Sequence, residues 1–253
     1  MNNITSVFGL IGFPLEHSFS KKYFTEKISS LKIIDTEYQL FPIESLSEFK
    51  SILLNNANLK GLNVTLPYKV SIIPYLNELE ETASAVGAVN TIKIVKNSDH
   101  SNHLIGYNTD VYGFKQSIKP FLEINHEKAL ILGRGGAAKA VSWVLNQMGI
   151  CCNYVSRNPV KSDEISYNDL NEWVIKSHLL IINTTPVGNF PNINDFPSIP
   201  YEFLTENHLL YDLTYNPVET AFLKKGKLAG SQIINGQSML EIQAEKSWEI
   251  WNS

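Results

Sequence analysis

A near-apolar run, Lys128–Leu132 (KALIL), leads directly into Gly133-Arg134-Gly135-Gly136-Ala137-Ala138. This juncture constrains the fold more than any other feature of the chain. A buried strand that ends in glycines and restarts as a small-residue helix is a βα turn. The turn needs a residue free to take positive φ, and no Cβ can stand between the backbone and a phosphate. The N–H groups that open the helix then face negative charge. The spacing is GxGG rather than the full GxGxxG, with Ala137 and Ala140 supplying small helix–strand contacts. Residues 140–148 read as the helix, with Val141, Val144, Leu145 and Met148 on one side. Plain αβ turns also contain glycine, so the loop by itself raises a nucleotide site without establishing one.

The end of the next strand selects the nucleotide. Residues 153–156 read as that strand. A carboxylate about 20 residues beyond the loop would hold the 2′-OH of NAD. This strand instead ends in Ser156-Arg157-Asn158, with Lys161 close behind and no acid. Arg157 and Lys161 can pair with a 2′-phosphate, the arginine through a planar fork and the lysine as a point charge. The expected cofactor is therefore NADP. The competing reading is that two exposed cations solvate a loop.

Strand-like and helix-like segments alternate along the rest of the chain, which predicts an α/β fold. Strands are expected at 7–11, 37–41, 61–64, 179–182 and Leu209–Asp212. Helices are expected at 18–28, 43–55 and about 239–251. Residues 88–95 and 104–107 flank a polar loop and read as a hairpin. A length of 253 residues suits one or two domains. The change of style after Pro120 places a boundary near residue 111. Two domains are expected, residues 1–110 plus 236–253 for substrate and 111–235 for nucleotide, with the reaction between them.

Composition excludes several classes. Lys and Arg number 21 against 25 Asp and Glu, a net charge of −4, so no broad basic field invites nucleic acid. No apolar run approaches the roughly 18 residues that span a bilayer. Residues 1–12 hold no Lys or Arg and lack the charged start of a secretory signal. Cys151 and Cys152 are adjacent, so no ordinary loop-closing disulfide or CxxC site is available. These features predict a cytoplasmic protein without a membrane partner. The six histidines are dispersed, and His100 and His103 in a polar loop give no reason to expect a metal. A homodimer is left open.

Four further segments set polar residues against apolar neighbours. Ser18 and Ser20 follow GFPLEH, Asn63, Thr65 and Lys69 lie in GLNVTLPYK, Asn90 lies in VGAVNT, and Asn108, Thr109 and Asp110 lie in GYNTD. Strand ends in α/β folds converge on one crevice. Gathered there, the serines would donate to a carboxylate and the amides would bind hydroxyls of a small polar ring. Lys69 and Asp110 form the pair suited to proton transfer, a positioned ammonium beside its counter-ion. Each residue also has a plain structural reading. Ser18 and Ser20 would cap a helix, Asn63 and Thr65 would close a turn before Pro67, and Asn90 would satisfy hairpin backbone. Asp110 would cap the helix that runs to Ser117, and Lys69 would be solvated.

The order IGFPLEHSFS, GLNVTLPYK, GAVNT, GYNTD, the GxGGA loop, INTTPVG and NGQSMLEIQA resembles the shikimate dehydrogenase family from Gly9 to Ala244. The resemblance implies a substrate domain beside a Rossmann-like NADP domain. It implies NADPH-dependent interconversion of 3-dehydroshikimate and shikimate on the route to aromatic amino acids. Residue by residue, it implies that Ser18 and Ser20 bind the substrate carboxylate. Thr65, Asn90, Asp110, Tyr215 and Gln243 would bind other substrate groups, and Lys69 with Asp110 would perform the chemistry. Gly133, Arg134, Gly135, Gly136 and Ala137, then Ser156, Arg157, Asn158 and Lys161, would hold the cofactor, with Glu81, Leu213 and Gly236 on its side. Two departures stand out. Ser156-Arg157-Asn158 replaces an Asn-Arg-Thr run common in the family, and Asn189 replaces a methionine that would cover the nicotinamide. A related quinate/shikimate dehydrogenase and a non-catalytic sensor binding shikimate or NADPH are the alternatives.

Overall fold

The computed structural model describes residues 4–16, 18–99 and 101–253. The chain divides into two compact units, one running to Thr109 and including Ala244–Ser253, the other formed by Asp110–Gln243.

The first unit begins with β1 (Ser6–Gly12), α1 (Phe19–Ser30), β2 (Thr36–Pro42), α2 (Phe49–Asn55) and β3 (Leu59–Val64). It continues through β4 (Glu78–Leu79), α3 (Glu81–Val86), β5 (Thr91–Lys96) and β6 (Asn102–Tyr107). The strands form a mixed six-stranded sheet in the order β2-β1-β3-β5-β6-β4. β1 lies parallel to both β2 and β3, whereas β3, β5 and β6 pair antiparallel in sequence. Buried from end to end, β1 sends alternate residues to two cores, as the period of a strand requires. Val7 and Ile11 join Phe49, Leu62 and Ile92 on one face, and Phe8 and Leu10 join Phe24, Tyr38 and Trp251 on the other. Phe8 stacks on Trp251 with ring centroids 4.9 Å apart.

The second unit contains most of α4 (Thr109–Ile118), then β7 (Lys128–Leu132), α5 (Gly136–Gln147), β8 (Cys151–Ser156), β9 (Glu164–Ser166), α6 (Glu172–Ser177) and β10 (Leu180–Asn183). β11 (Leu209–Asp212), α7 (Ala221–Leu228), β12 (Gln232–Ile234) and α8 (Gln237–Asn252) complete the chain. Its six strands run in the order β12-β11-β10-β7-β8-β9, all parallel. The chain starts in the middle at β7, adds strands to one side, then returns to add β10 to β12 on the other. This reversal is the topological switch of a doubly wound sheet.

Three expected elements are corrected. The helix expected over 43–55 is a 3-10 turn, Leu46–Glu48, followed by α2. A capping box between Ser45 and Glu48 starts the turn, because Pro42 has ended the strand just before. The helix expected over 140–148 starts at Gly136, inside the glycine loop. Glycine weakens a helix interior but is tolerated in the first turn, so the propensity argument placed the start too late. The strand expected over 88–95 starts at Thr91.

At the amino ends of the parallel strands, His126, His178 and His208 precede β7, β10 and β11, and all three are buried. The Glu123 N–H donates to His126 Nδ1 at 2.9 Å, and the Thr205 N–H donates to His208 Nδ1 at 3.0 Å. Both rings therefore carry their proton on Nε2 and are neutral. Burial pushes all three below the usual histidine value. Below about pH 6.5 the unfolded chain takes up protons that the folded rings refuse. The stability they contribute is complete above that pH and is lost as pH falls toward their depressed folded values. The melting temperature is expected to drop between about pH 7 and about pH 5, followed by circular dichroism. A flat profile across that window would refute the assignment.

Candidate functional site

The carboxyl end of β7 turns at Gly133, whose φ is +105°. Its N–H donates to Val155 O at 2.9 Å, and Thr184 closes the other side through Oγ1 to Leu132 O at 2.6 Å. A Cβ on Gly133 would lie 2.9 Å from Thr184 Oγ1, so the turn has no room for a side chain. A Cβ on Gly135 would meet nothing within 4 Å. Gly135 is the residue before α5, and its lack of a side chain leaves the helix start open. One glycine makes the turn and the other leaves an approach, which is the division of labour a pyrophosphate requires.

Beside this loop lies a cavity of about 680 Å³. Gly133, Arg134, Ser156, Arg157 and Asn158 line it, so five of the expected cofactor residues are brought together. Ser156 is buried and its Oγ accepts the Asn158 N–H at 3.3 Å, while Arg157 is exposed. Gly135, Gly136 and Ala137 continue into α5, and Lys161 is exposed but does not line the cavity. After β10, residues 185–187 form the facing wall, joined by Tyr167 and Phe196.

Further along the same sheet edge, Asp212 is fully buried at the end of β11. It accepts from Thr220 Oγ1 at 2.6 Å, Thr214 N at 3.0 Å and Asn183 Nδ2 at 3.1 Å. Burial pushes its carboxyl up, and those donors pull against that. The result is a rigid bend that carries Leu213 and Tyr215. Gly236 N–H donates to Thr214 O at 3.0 Å, and a Cβ on Gly236 would run into the Leu213 carbonyl. The two residues expected to flank a nicotinamide are therefore neighbours. Asn189 uses its own Oδ1 to accept the Phe190 N–H at 3.0 Å, a bond that a methionine could not make.

In the first unit, three of the expected substrate residues, Ser20, Asn63 and Asn90, belong to a largely buried polar network. The hydroxyl of Ser20, half-buried on α1, hydrogen-bonds Tyr38, whose phenol is pushed well above its usual value by burial. Tyr38 OH donates to Asn63 Oδ1 at 2.8 Å, and Asn63 Nδ2 donates to Ser247 Oγ at 3.0 Å. Ser247 meets Thr91 Oγ1 at 2.8 Å and Thr109 Oγ1 at 3.2 Å. Asn90 closes the chain: its Oδ1 accepts the Thr109 N–H at 2.7 Å and its Nδ2 donates to Thr109 Oγ1 at 2.9 Å. Asn90 thus fixes the residue before Asp110, rather than hairpin backbone as its structural reading supposed.

Other expectations resolve individually. Ser18 occupies the position before α1 but makes no capping hydrogen bond with its side chain, so the helix-cap reading fails. Ser20 lies inside the helix and caps nothing. Asp110 lies inside the first turn of α4, not before it, and is buried there, where a carboxylate is favoured by the helix dipole. Lys69 is half-buried, and its carbonyl accepts the Val89 N–H at 2.7 Å, which ties it to the strand leading to Asn90. Thr65 is half-buried, Glu81 is the exposed first residue of α3, and Gln243 is buried on α8 with Nε2 donating to Leu240 O at 3.0 Å. His103 pairs with Glu78 at 3.3 Å, and His17 and His100 lie outside the described residues. Among the described residues, no three His, Cys, Asp or Glu side chains gather to hold a metal ion, and no helix is long and apolar enough to cross a membrane.

Comparison with known proteins agrees with this geometry. Residues 10–92 match the family model described as shikimate dehydrogenase substrate binding domain. A shikimate dehydrogenase (NADP(+)) of Methanococcus maripaludis is 38% identical, over 99% of this chain and 92% of the relative. The chain belongs to the shikimate dehydrogenase family. A crystal structure of a shikimate dehydrogenase in complex with NADP+ matches 98% of this chain and 90% of its own, with a TM-score of 0.82 and 31% identity. A quinate dehydrogenase from Corynebacterium glutamicum in complex with NAD matches with a TM-score of 0.83 and 25% identity, over 98% of this chain and 93% of its own.

Within this shikimate dehydrogenase family member, several groups at the two polar centres were not anticipated. Thr184 and Thr185 stand in INTTPVG directly after a buried strand, and the switch-point rule would have marked them. Ser247 lies one helical turn after Gln243, so it shares that face of α8. Tyr38, Tyr167 and Phe196 carry no local signal. Their places depend on chain closure across the sheets. Ser247→Ala would leave the Asn63 amide and two threonine hydroxyls short of a buried partner. The expected loss is about 1–3 kcal/mol of unfolding free energy, measured by urea titration. An unchanged midpoint would show that the network re-pairs without it.

Proposed function

We propose that this chain catalyses the reversible, NADP-dependent reduction of 3-dehydroshikimate to shikimate, in the biosynthesis of aromatic amino acids. The observation that carries the reading is the full-length similarity to shikimate dehydrogenase (NADP(+)) at 38% identity. The site chemistry supports it. The glycine turn, the open start of α5 and the Arg157 side chain at the cavity fit a dinucleotide with a 2′-phosphate. The end of β8 carries Ser156-Arg157-Asn158 and no carboxylate placed to take a 2′-OH.

The residues then take the following roles. Ser18 and Ser20 donate to the substrate carboxylate. Thr65, Asn90, Asp110, Tyr215 and Gln243 bind its other polar groups. Asn63 joins them at the substrate, with its amide oriented by Tyr38 and Ser247. Gly133, Arg134, Gly135, Gly136, Ala137, Ser156, Arg157, Asn158 and Lys161 hold the cofactor, with Leu213 and Gly236 flanking its nicotinamide and Glu81 on the cofactor side. Bound NADPH supplies the hydride that the ketone carbon accepts. Lys69 gives its ammonium proton to the oxygen that becomes the hydroxyl, and recovers one in the reverse direction. Asp110 serves as its counter-ion and holds the lysine in place. The free thiols Cys151 and Cys152, the latter pushed up to about 12 by burial, suit a reducing cytoplasm and no nucleophilic role.

Following NADPH absorbance with shikimate and NADP, then with quinate, tests the assignment. Turnover of quinate in preference to shikimate would move the chain to the quinate enzymes. Lys69→Ala is expected to lower kcat by a factor on the order of 10² to 10⁴ with a smaller effect on KM. An unchanged kcat would remove Lys69 from the chemistry. Arg157→Ala is expected to weaken NADPH far more than NADH, and equal weakening would overturn the 2′-phosphate assignment.

A further inference from the structure

The connection from β8 to β9 is unusual for a parallel pair. Parallel neighbours are ordinarily joined by a crossover of a dozen or more residues that includes a helix. Here only residues 157–163 intervene, and none of them is helical. These residues include Arg157, Asn158 and Lys161, the groups read above as holding the 2′-phosphate. A loop without a helix behind it has no helical backbone to order its N–H groups, so side chains must hold it.

Two side chains accept N–H groups of this loop: Ser156 Oγ takes that of Asn158 at 3.3 Å, and Glu164 takes that of Val160. Glu164, the first residue of β9, has a side chain only 5% exposed. Its Oε2 accepts the Val160 N–H at 2.9 Å and pairs with Arg134 Nη1 at 3.3 Å. Its backbone N–H donates to Lys161 O at 3.1 Å. A single carboxylate thus ties the phosphate loop to the glycine loop, while Arg134, on the outer side of the pair, lines the cavity. A carboxylate near an anion site opposes the anion unless its charge is answered, and Arg134 answers it.

We propose that Glu164 is the positioning residue that sets this chain's preference for a 2′-phosphorylated cofactor, by bracing the 157–163 loop against the glycine turn. The inference rests on the reading that the cavity holds NADPH. Glu164 touches no cofactor atom in this role; it fixes the groups that do.

Dissociation constants for NADPH and NADH, measured by fluorescence titration of the full chain without substrate, test it. Glu164→Met keeps the buried volume but removes the acceptor. It is expected to weaken NADPH about tenfold and NADH less than threefold. Glu164→Gln still accepts from Val160 and is expected to stay within threefold of the wild type for both. Melting temperatures establish that both variants fold. A purely structural residue would lower the melting temperature and leave the NADPH-to-NADH ratio unmoved. Unchanged NADPH binding in Glu164→Met, equal weakening of both cofactors, or tighter NADPH would overturn the brace. A wild type that binds NADPH no better than NADH would instead overturn the cofactor reading on which it rests.

Discussion

Reversal of strand order between β7 and β10 is the constraint on which the second unit depends. Because every strand of that sheet is parallel, every carboxyl end emerges on the same edge. Loops on either side of the reversal leave in opposite directions, which opens a crevice no side chain had to carve. The glycine turn after β7, the Ser156-Arg157-Asn158 run at the end of β8 and Thr185 after β10 all reach one cavity for this reason. The amino ends of the same strands gather the three buried histidines. Topology therefore separates a binding edge from an edge concerned with packing.

The first unit depends on a different interaction. Asn63, Thr91, Thr109, Asn90 and Ser247 are all buried, and each makes hydrogen bonds within the unit. Taking such groups out of water is costly unless every one is paired, and paired groups in a low-dielectric interior are held firmly. The network links α1, β2, β3, β5, α8 and the start of α4 by directional contacts. Apolar packing of Phe8, Phe24 and Trp251 behind it resists slippage but does not set the angle of a donor. A polar substrate needs donors at fixed angles. The division between an aromatic core and a polar lattice in one unit follows from those two demands.

Much of this was legible in the chain. Alternation of apolar runs predicted α/β units, and the run from KALIL to the glycines marked the βα turn and the cation-bearing strand end beyond it. Local signals sufficed there because the turn, the helix start and the strand all lie within a short stretch. The 43–55 region divides into two elements because the three-residue step from Leu46 to Phe49 fits a 3-10 turn as well as an α-helix, and the capping box at Ser45 starts the former. The partners of Asn63 were not legible: Tyr38 reaches it through the pairing of β1 with β2 and β3, and Ser247 through the packing of α8, and neither contact leaves a local signal.

The short β8–β9 connection shows how one economy in the chain creates an obligation elsewhere. A crossover helix would order its own backbone and present a positive terminus toward the phosphates. Without it, the segment keeps its cations but loses the scaffold that aims them. The hydroxyl of Ser156 and the carboxylate of Glu164 each accept one loop N–H, from Asn158 and from Val160. An acid is the stronger acceptor of the two, yet it introduces a negative charge beside a site for anions. Arg134 resolves the conflict by pairing with that charge from the glycine loop. The arginine between the first two glycines therefore serves two neighbours at once, and a residue that looks like a loop filler in GRGG becomes the link between the glycine turn and the 157–163 loop.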